Sequence, residues 1–454
     1  MKSLLRSCLT AYAMAALVTA STAVSADKPQ TYEEYRAQQQ EAINAYKSKR
    51  TESYNAFRSD YIKAYDEYRL NLLNQWDVVK QSSQKVQVSY SEQNSVRSEI
   101  DFEGNEIRIS VVHSSEDTPS TDKIVKALEE VARQSVAEAL SADPVESKLS
   151  NSKHPGATTI PRAPALHKEV FESEQAPGKA INAMVSKAST TTRKREYNAE
   201  NLDAMLTQMS PEQPRNSRDI ESSEGTLTGN SSEELEKRKK KLAKEYRKRA
   251  ADPTKKSITT YYIKMPDSNE LEKAQPFLAT AQEESKKWGL DLNLTLAIMR
   301  AESSFNPMAR SHIPAFGLMQ IVPSSAGLDV NQKVHQQSSM PSADELYQAS
   351  TNIHYGTAYL NILNSSYLKG IKDPTSRLYC VISAYNTGAG NVSKAFTYKG
   401  RNVSAAVKVI NTMTPDEVYD HLMTNLPYKE TRTYLRKVNN YRSEYANLTK
   451  DIKL

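Results

Sequence analysis

Leu292-Asn293-Leu294-Thr295-Leu296-Ala297-Ile298-Met299-Arg300-Ala301-Glu302 runs directly into Ser303-Ser304-Phe305-Asn306-Pro307. Apolar residues fill the segment, and Ile298 and Met299 stand four and three residues before Glu302, on one face of a helix. Asn306-Pro307 should end that helix, because the residue before a proline avoids the α region. The Glu302 carboxyl is therefore expected on an apolar face, close to a helix C-terminus. Burial and the helix dipole both disfavour its charged form, so its pKa is expected to be raised. A carboxylic acid still protonated near neutral pH is what glycosidic cleavage asks of a general acid. The segment alone is equally compatible with a Glu that bends into solvent.

Working outward, helical patterns recur from Pro266 to Leu454, near 270–288, 344–364, 375–387, 390–397, 401–411, 415–425 and 428–446. About 190 residues of this kind are enough for an all-α domain with its own core. Upstream, 84–115 alternates as strands do, in Lys85 to Tyr90, Arg97 to Phe102 and Glu106 to Val111, with Glu103-Gly104-Asn105 as a hairpin turn. A helix is expected from Ser120 to Ala142, with Ile124, Leu128, Val131 and Val136 inward. Residues 143–230, rich in Ser, Thr, Pro and Lys, read as loop or flexible linker, and 232–250 as a basic helix. Ile258 to Ile263 reads as a strand that returns to the earlier sheet.

Residues 31–80 repeat every eleven positions. Tyr32, Ile43, Tyr54, Tyr65 and Trp76 form one row, and Tyr35, Tyr46, Phe57, Tyr68 and Val79 another. Eleven residues are three helical turns with little drift, so a single long helix would carry a nearly straight aromatic stripe. The stripe is expected to pack on a second copy, on a protein partner or on the following domain.

The chain has 454 residues and a net charge of +6, with 38% hydrophobic residues. Its mean hydropathy of -0.66 is low for one compact core. Lys2 and Arg6, the apolar run from Leu9 to Val18 and the small residues ending at Ala26 read as a secretion signal. Its removal would leave Cys380 alone, without an intramolecular disulfide, in an apolar context that suits a buried thiol. Behind such a signal, Lys237-Arg238-Lys239-Lys240-Lys241 reads as a solvated face, or one drawn to an anionic wall or membrane, rather than a nucleic-acid site. No metal or cofactor is expected.

Three further clusters accompany Glu302-Ser303: Gly317-Leu318-Met319-Gln320, then Ala384-Tyr385-Asn386 before Thr387-Gly388, and Glu430-Thr431 with Tyr434. Each is weak alone. In this order, with Phe305-Asn306-Pro307, Ser311, Asp373-Pro374-Thr375-Ser376-Arg377 and Ile410-Asn411-Thr412-Met413-Thr414-Pro415, the chain resembles the lytic transglycosylases of the goose-lysozyme-like superfamily. The likeness extends more weakly over 78–142 and 256–300. It implies an α+β, mainly α protein. It gives a small accessory α+β domain with a flexible basic linker over 81–265 and a lysozyme-like all-α catalytic domain over 266–454. Ahead of them the residues themselves place a signal peptide over 1–26 and the long helix over 27–80, which has no counterpart in the family.

The resemblance implies that Glu302 is the catalytic acid/base and that Ser311, Gln320, Tyr385, Asn386, Glu430 and Tyr434 line a groove for peptidoglycan glycan strands. It also implies cleavage between N-acetylmuramic acid and N-acetylglucosamine by attack of the muramic C6 hydroxyl, giving 1,6-anhydro ends. After Glu302 the next acidic residue is Asp329, which suits a one-carboxylate reaction better than hydrolysis with two. Asp344, Glu345 and Glu430 remain as distant partners for a hydrolase of the same fold, and a murein-binding scaffold is a third reading. The related subgroup consists of lipoproteins with a Cys directly after the apolar signal core. Here Cys8 precedes that core, so a periplasmic form without a lipid anchor is expected, with or without association to the outer membrane or wall.

Overall fold

The computed structural model describes Glu33, Glu41, Glu52, Ala56 and residues 59–146, 177–209, 228–250, 255–265, 270–311, 315–397 and 401–450. The chain divides into two compact units, Met1–Tyr54 and Asn55–Leu454. In the first, Glu33, Glu41 and Glu52 are helical and exposed. The expected signal peptide and the stripe positions Tyr32, Tyr35, Ile43, Tyr46, Tyr54 and Phe57 lie outside the described residues.

The second unit holds an antiparallel sheet of five strands, β1 (Val86–Ser91), β2 (Val96–Asp101), β3 (Glu106–Ser114), β4 (Ser189–Lys194) and β5 (Lys256–Lys264), in the order β1-β2-β3-β5-β4. The β2–β3 turn falls where expected, closed by Asp101 Oδ1 accepting from Gly104 N at 2.7 Å. Strand alternation then sorts the two faces. Ile107, Ile109 and Val111, with Val96, Ile100 and Ile263, meet Ile124, Leu128 and Val131 of one helix and Ile181 and Val185 of another. Val112, paired with Ile258, faces the opposite side and joins Leu72, Leu73, Trp76, Met205 and Tyr246.

Three expectations change. The helical residues after 58 end at 72, not 80, and 73–75 turn. Trp76 is pulled onto the sheet: it is fully buried, its Nε1 donates to Asn94 O at 2.7 Å, and the Arg97 guanidinium stacks 4.3 Å from its ring centre. The described part of the stripe thus packs within the chain, with Tyr65, Trp76 and Val79 buried. The single helix over 120–142 is two, Thr121–Arg133 and Val136–Ala142. Ser135 and Glu138 form a reciprocal capping box that starts the second helix afresh, and Ile124, Leu128, Val131 and Val136 are buried as expected. The supposed linker contains Pro177–Ser186, β4 and Ala199–Gln208. All six residues of β4 are exposed, so it carries no apolar alternation to read.

In the C-terminal part of this unit most helices fall close to the expected bounds: Glu270–Trp288, Leu292–Ser303, Pro374–Thr387, Ala389–Phe396, Val403–Ile410, Pro415–Asn425 and Lys429–Leu448. The one segment expected over 344–364 is broken into Ala343–Leu346 and Ala349–Ile362. Leu292–Ser303 is central, burying Leu294, Leu296, Ala297, Ile298 and Met299. The fold is mainly α with a small antiparallel sheet. Among the described residues no helix is long and apolar enough to cross a membrane.

Trp76→Ala should cost about 3–5 kcal/mol of stability, the usual loss for a large core aromatic. A urea unfolding midpoint unchanged from wild type would contradict the anchoring role of this side chain.

Candidate active site

Glu302 occupies the last turn of Leu292–Ser303 and is only 3% exposed. The helix is capped by Asp291, whose side chain accepts from Asn293 N, and it ends in two left-handed residues, Ser304 (φ 51°) and Phe305 (φ 65°). The helix therefore stops before Asn306-Pro307. Such backbone costs about 1–2 kcal/mol per non-glycine residue, and burial of the Phe305 ring against Tyr445, at 6.5 Å, offsets it. Strain of this kind concentrates at functional sites.

Facing the helix end is the tight loop Phe316 to Ile321, closed by two backbone hydrogen bonds between those residues, at 3.1 and 3.0 Å. Gly317 has φ +74°, and a Cβ there would collide with Leu346 O and Asn352 Nδ2. Gln320, also left-handed at φ 48°, turns its amide inward and donates from Nε2 to Ala309 O at 2.9 Å and Gly317 O at 3.0 Å. Ser303 Oγ lies 2.8 Å from Leu318 O and 3.0 Å from Met299 O, fastening the loop to the helix.

Tyr385 ends the Pro374–Thr387 helix and donates from its hydroxyl to Met319 O at 2.8 Å. Its pKa is raised well above the usual tyrosine range, first by burial and then by the charge of nearby Glu302. It therefore stays a neutral donor at any physiological pH. Asn386 accepts from Thr431 Oγ1 at 2.8 Å, which ties the Lys429–Leu448 helix to the site. Its buried Nδ2 has no hydrogen-bond partner.

Glu302, Gln320, Val322, Ala326, Tyr359, Tyr385 and Asn386 line one pocket. The free space they enclose is about 10 Å³, room for roughly one water. Glu302 is the sole carboxylate among these lining residues. Of the expected groove residues, Gln320, Tyr385 and Asn386 gather here, whereas Ser311, Glu430 and Tyr434 do not line this space. Ser311 and Tyr434 are buried and Glu430 is exposed.

Two participants escaped the sequence reading. Tyr359, from Ala349–Ile362, sets its ring 5.7 Å from that of Tyr385. Asn352 of the same helix is fully buried and staples the loop. Its Oδ1 accepts from Met319 N at 2.7 Å, and its Nδ2 donates to Phe316 O at 2.7 Å and Leu346 O at 2.6 Å. A polar Asn at an inward helical position was the available signal. Asn352→Ala should cost at least about 3 kcal/mol, since each buried group left unpaired costs about 1–3 kcal/mol. Urea unfolding of the variant checks this, and a loss under about 1 kcal/mol would refute the staple.

Residues 279–407 match the Transglycosylase SLT domain family. Over 178 residues, 39% of this chain, the sequence is 48% identical to membrane-bound lytic murein transglycosylase C of Sodalis glossinidius, covering 49% of that protein. The same protein from Klebsiella pneumoniae is 48% identical over the same length and share of this chain, with 48% of it covered. The chain thus spans about half the length of the curated relatives it matches. Among solved structures, the lytic transglycosylase Slt of Pseudomonas aeruginosa is 26% identical, with a TM-score of 0.31, over 39% of this chain and 25% of that one. The stretch that matches this family model contains Glu302, Gln320, Tyr385 and Asn386.

Proposed function

We propose that the protein is a peptidoglycan lytic transglycosylase of the cell envelope. It cleaves the β-1,4 bond between N-acetylmuramic acid and N-acetylglucosamine, leaves 1,6-anhydromuramic ends, and serves wall remodelling and turnover. The observation that carries this reading is the placement of Glu302. It is a buried carboxyl at a strained helix end and the only carboxylate lining its pocket.

The first step uses the protonated form of Glu302. Glu302 donates its proton to the glycosidic oxygen as the bond to the anomeric carbon breaks. As carboxylate it then takes the proton of the muramic C6 hydroxyl, whose oxygen closes onto that carbon. One group thus serves as acid and base, and no water enters the product. A hydrolase would need a second carboxyl about 5–9.5 Å away. Asp344 and Glu345 belong to a short helix turn capped by Ser342, and Glu430 is exposed.

Asn386 Nδ2, buried and without a partner, suits a sugar amide carbonyl, and Gln320 and Tyr385 hold the walls that orient Glu302. Ser311, Glu430 and Tyr434 are assigned to the groove beyond the pocket. The relatives are membrane-bound murein enzymes by name, which supports an envelope location. The expected signal peptide would deliver the chain to the periplasm.

Glu302→Gln should lower murein cleavage by at least about 10²-fold, the scale of general acid–base catalysis, without lowering Tm. Muropeptides released by the wild-type protein should carry anhydro ends by mass spectrometry. Reducing ends with added water would replace this reading with a hydrolase. A folded wild-type protein that releases nothing from murein would favour a binding scaffold.

A further inference from the structure

Arg310 lies two residues beyond Met308, in the chain between Glu302 and the Phe316 to Ile321 loop, and is only 4% exposed. Its guanidinium meets side chains from far upstream in the sequence. One nitrogen donates to Asp143 Oδ2 at 2.8 Å, another to Glu146 Oε1 at 3.0 Å, and its carbon sits 4.8 Å from the Tyr65 ring centre. Both carboxylates lie just after the Val136–Ala142 helix, and Tyr65 belongs to the helix over 59–72. Glu146 Oε1 also accepts from Tyr347 OH at 3.0 Å.

The backbone at Arg310 is part of the site's wall. Arg310 pairs with Phe316 in an isolated antiparallel bridge. The preceding carbonyl, Ala309 O, accepts from Gly317 N at 2.8 Å and from Gln320 Nε2 at 2.9 Å. The aromatic side chains reach the same loop. Tyr347 meets the Phe316 ring edge-on at 5.3 Å and Tyr61 does so at 6.4 Å. A charge buried this deeply is stable only while its partners hold their places, so breaking the cluster would leave an unpaired ion inside the protein.

We propose that Arg310, clamped by Asp143 and Glu146, is a positioning residue for the Glu302 pocket. The clamp fixes Ala309 O, on which Gln320 and Gly317 hang, so a segment far upstream in sequence sets the geometry of the lining. The turnover part of this inference rests on the reading of Glu302 given above, while the geometric part stands apart from it. Arg310 touches no pocket space itself. Replacing it should release the loop locally and misplace Gln320 by a fraction of an ångström.

Hydrogen exchange on the full chain, read by mass spectrometry, tests the geometry whether or not the protein cleaves murein. In Arg310→Met the peptide over 315–322 should exchange at least about tenfold faster, while the peptide over 292–301 keeps its wild-type rate. Asp143→Asn, which spares the Glu146 pair, should do the same more weakly and serves if the first variant does not fold. Murein turnover should fall about tenfold in kcat with KM nearly unchanged. Arg310→Lys should recover part of it, and Arg310→Met combined with Gln320→Ala should be no worse than Gln320→Ala alone. Wild-type exchange in 315–322, or equal acceleration of both peptides, would overturn the inference. So would losses that add in the double variant. A wild-type protein without activity would instead overturn the proposed reaction and leave exchange to decide the positioning role.

Discussion

A loop buried as deeply as Phe316 to Ile321 must find a partner for its peptide groups, because water is not there to supply one. That constraint organises the whole site. Phe316 and Ile321 pair with each other, Gly317 N reaches Ala309 O, and Gln320 folds its own amide back onto Ala309 O and Gly317 O. Leu318 O takes Ser303, Met319 O takes Tyr385, and Asn352 serves Met319 N and Phe316 O. Three helices are thereby fixed around one loop. Ser303, Gln320 and Tyr385 carry the family likeness and are also the hydrogen-bonding groups that allow the loop to be buried.

The same economy governs the carboxyl. Glu302 stands where a helix must stop, and it stops by placing two side-chain-bearing residues in left-handed backbone. Packing of Phe305 against Tyr445 holds that turn, so the last helix of the chain stabilises the end of the helix that carries Glu302. Segments flanking the five-stranded sheet contribute as well. Asn306 Nδ2 donates to Gln84 O at 3.2 Å, just before β1, and Arg310 is held by Asp143 and Glu146. Phe305, Asn306 and Arg310 are thus braced by residues outside the matched family region.

Much of this was legible in the sequence. Helices with a strong apolar stripe and good caps, such as Thr414 with Glu417 ahead of Pro415–Asn425, fell close to their expected bounds because local signals and burial agree there. The split at Ser135 was legible too, in the spacing of Ser135 and Glu138, but the continuous apolar period on either side concealed it. β4 was not legible, since an exposed edge strand is held by backbone pairing to β5 and needs no pattern of its own. Nor could the turn after residue 72 be foreseen, because the eleven-residue period continues through Trp76 while the side chain itself leaves the helix for the sheet.

By itself the sequence determined the helical C-terminal part, the strands β1, β2 and β3 with the β2–β3 hairpin and the returning strand β5, and it singled out Glu302 with Gln320, Tyr385 and Asn386. These follow from periodicity, turn chemistry and short motifs, which act over a few residues. Only the tertiary structure decided that Glu302 is the one carboxylate lining its pocket, that Asn352 and Tyr359 belong to the site, and that Ser311, Glu430 and Tyr434 do not line the enclosed space. It also decided that Arg310 pairs with carboxylates more than 160 positions away. Such pairings depend on which buried charges and peptide groups meet once the chain is packed, and no local pattern records that.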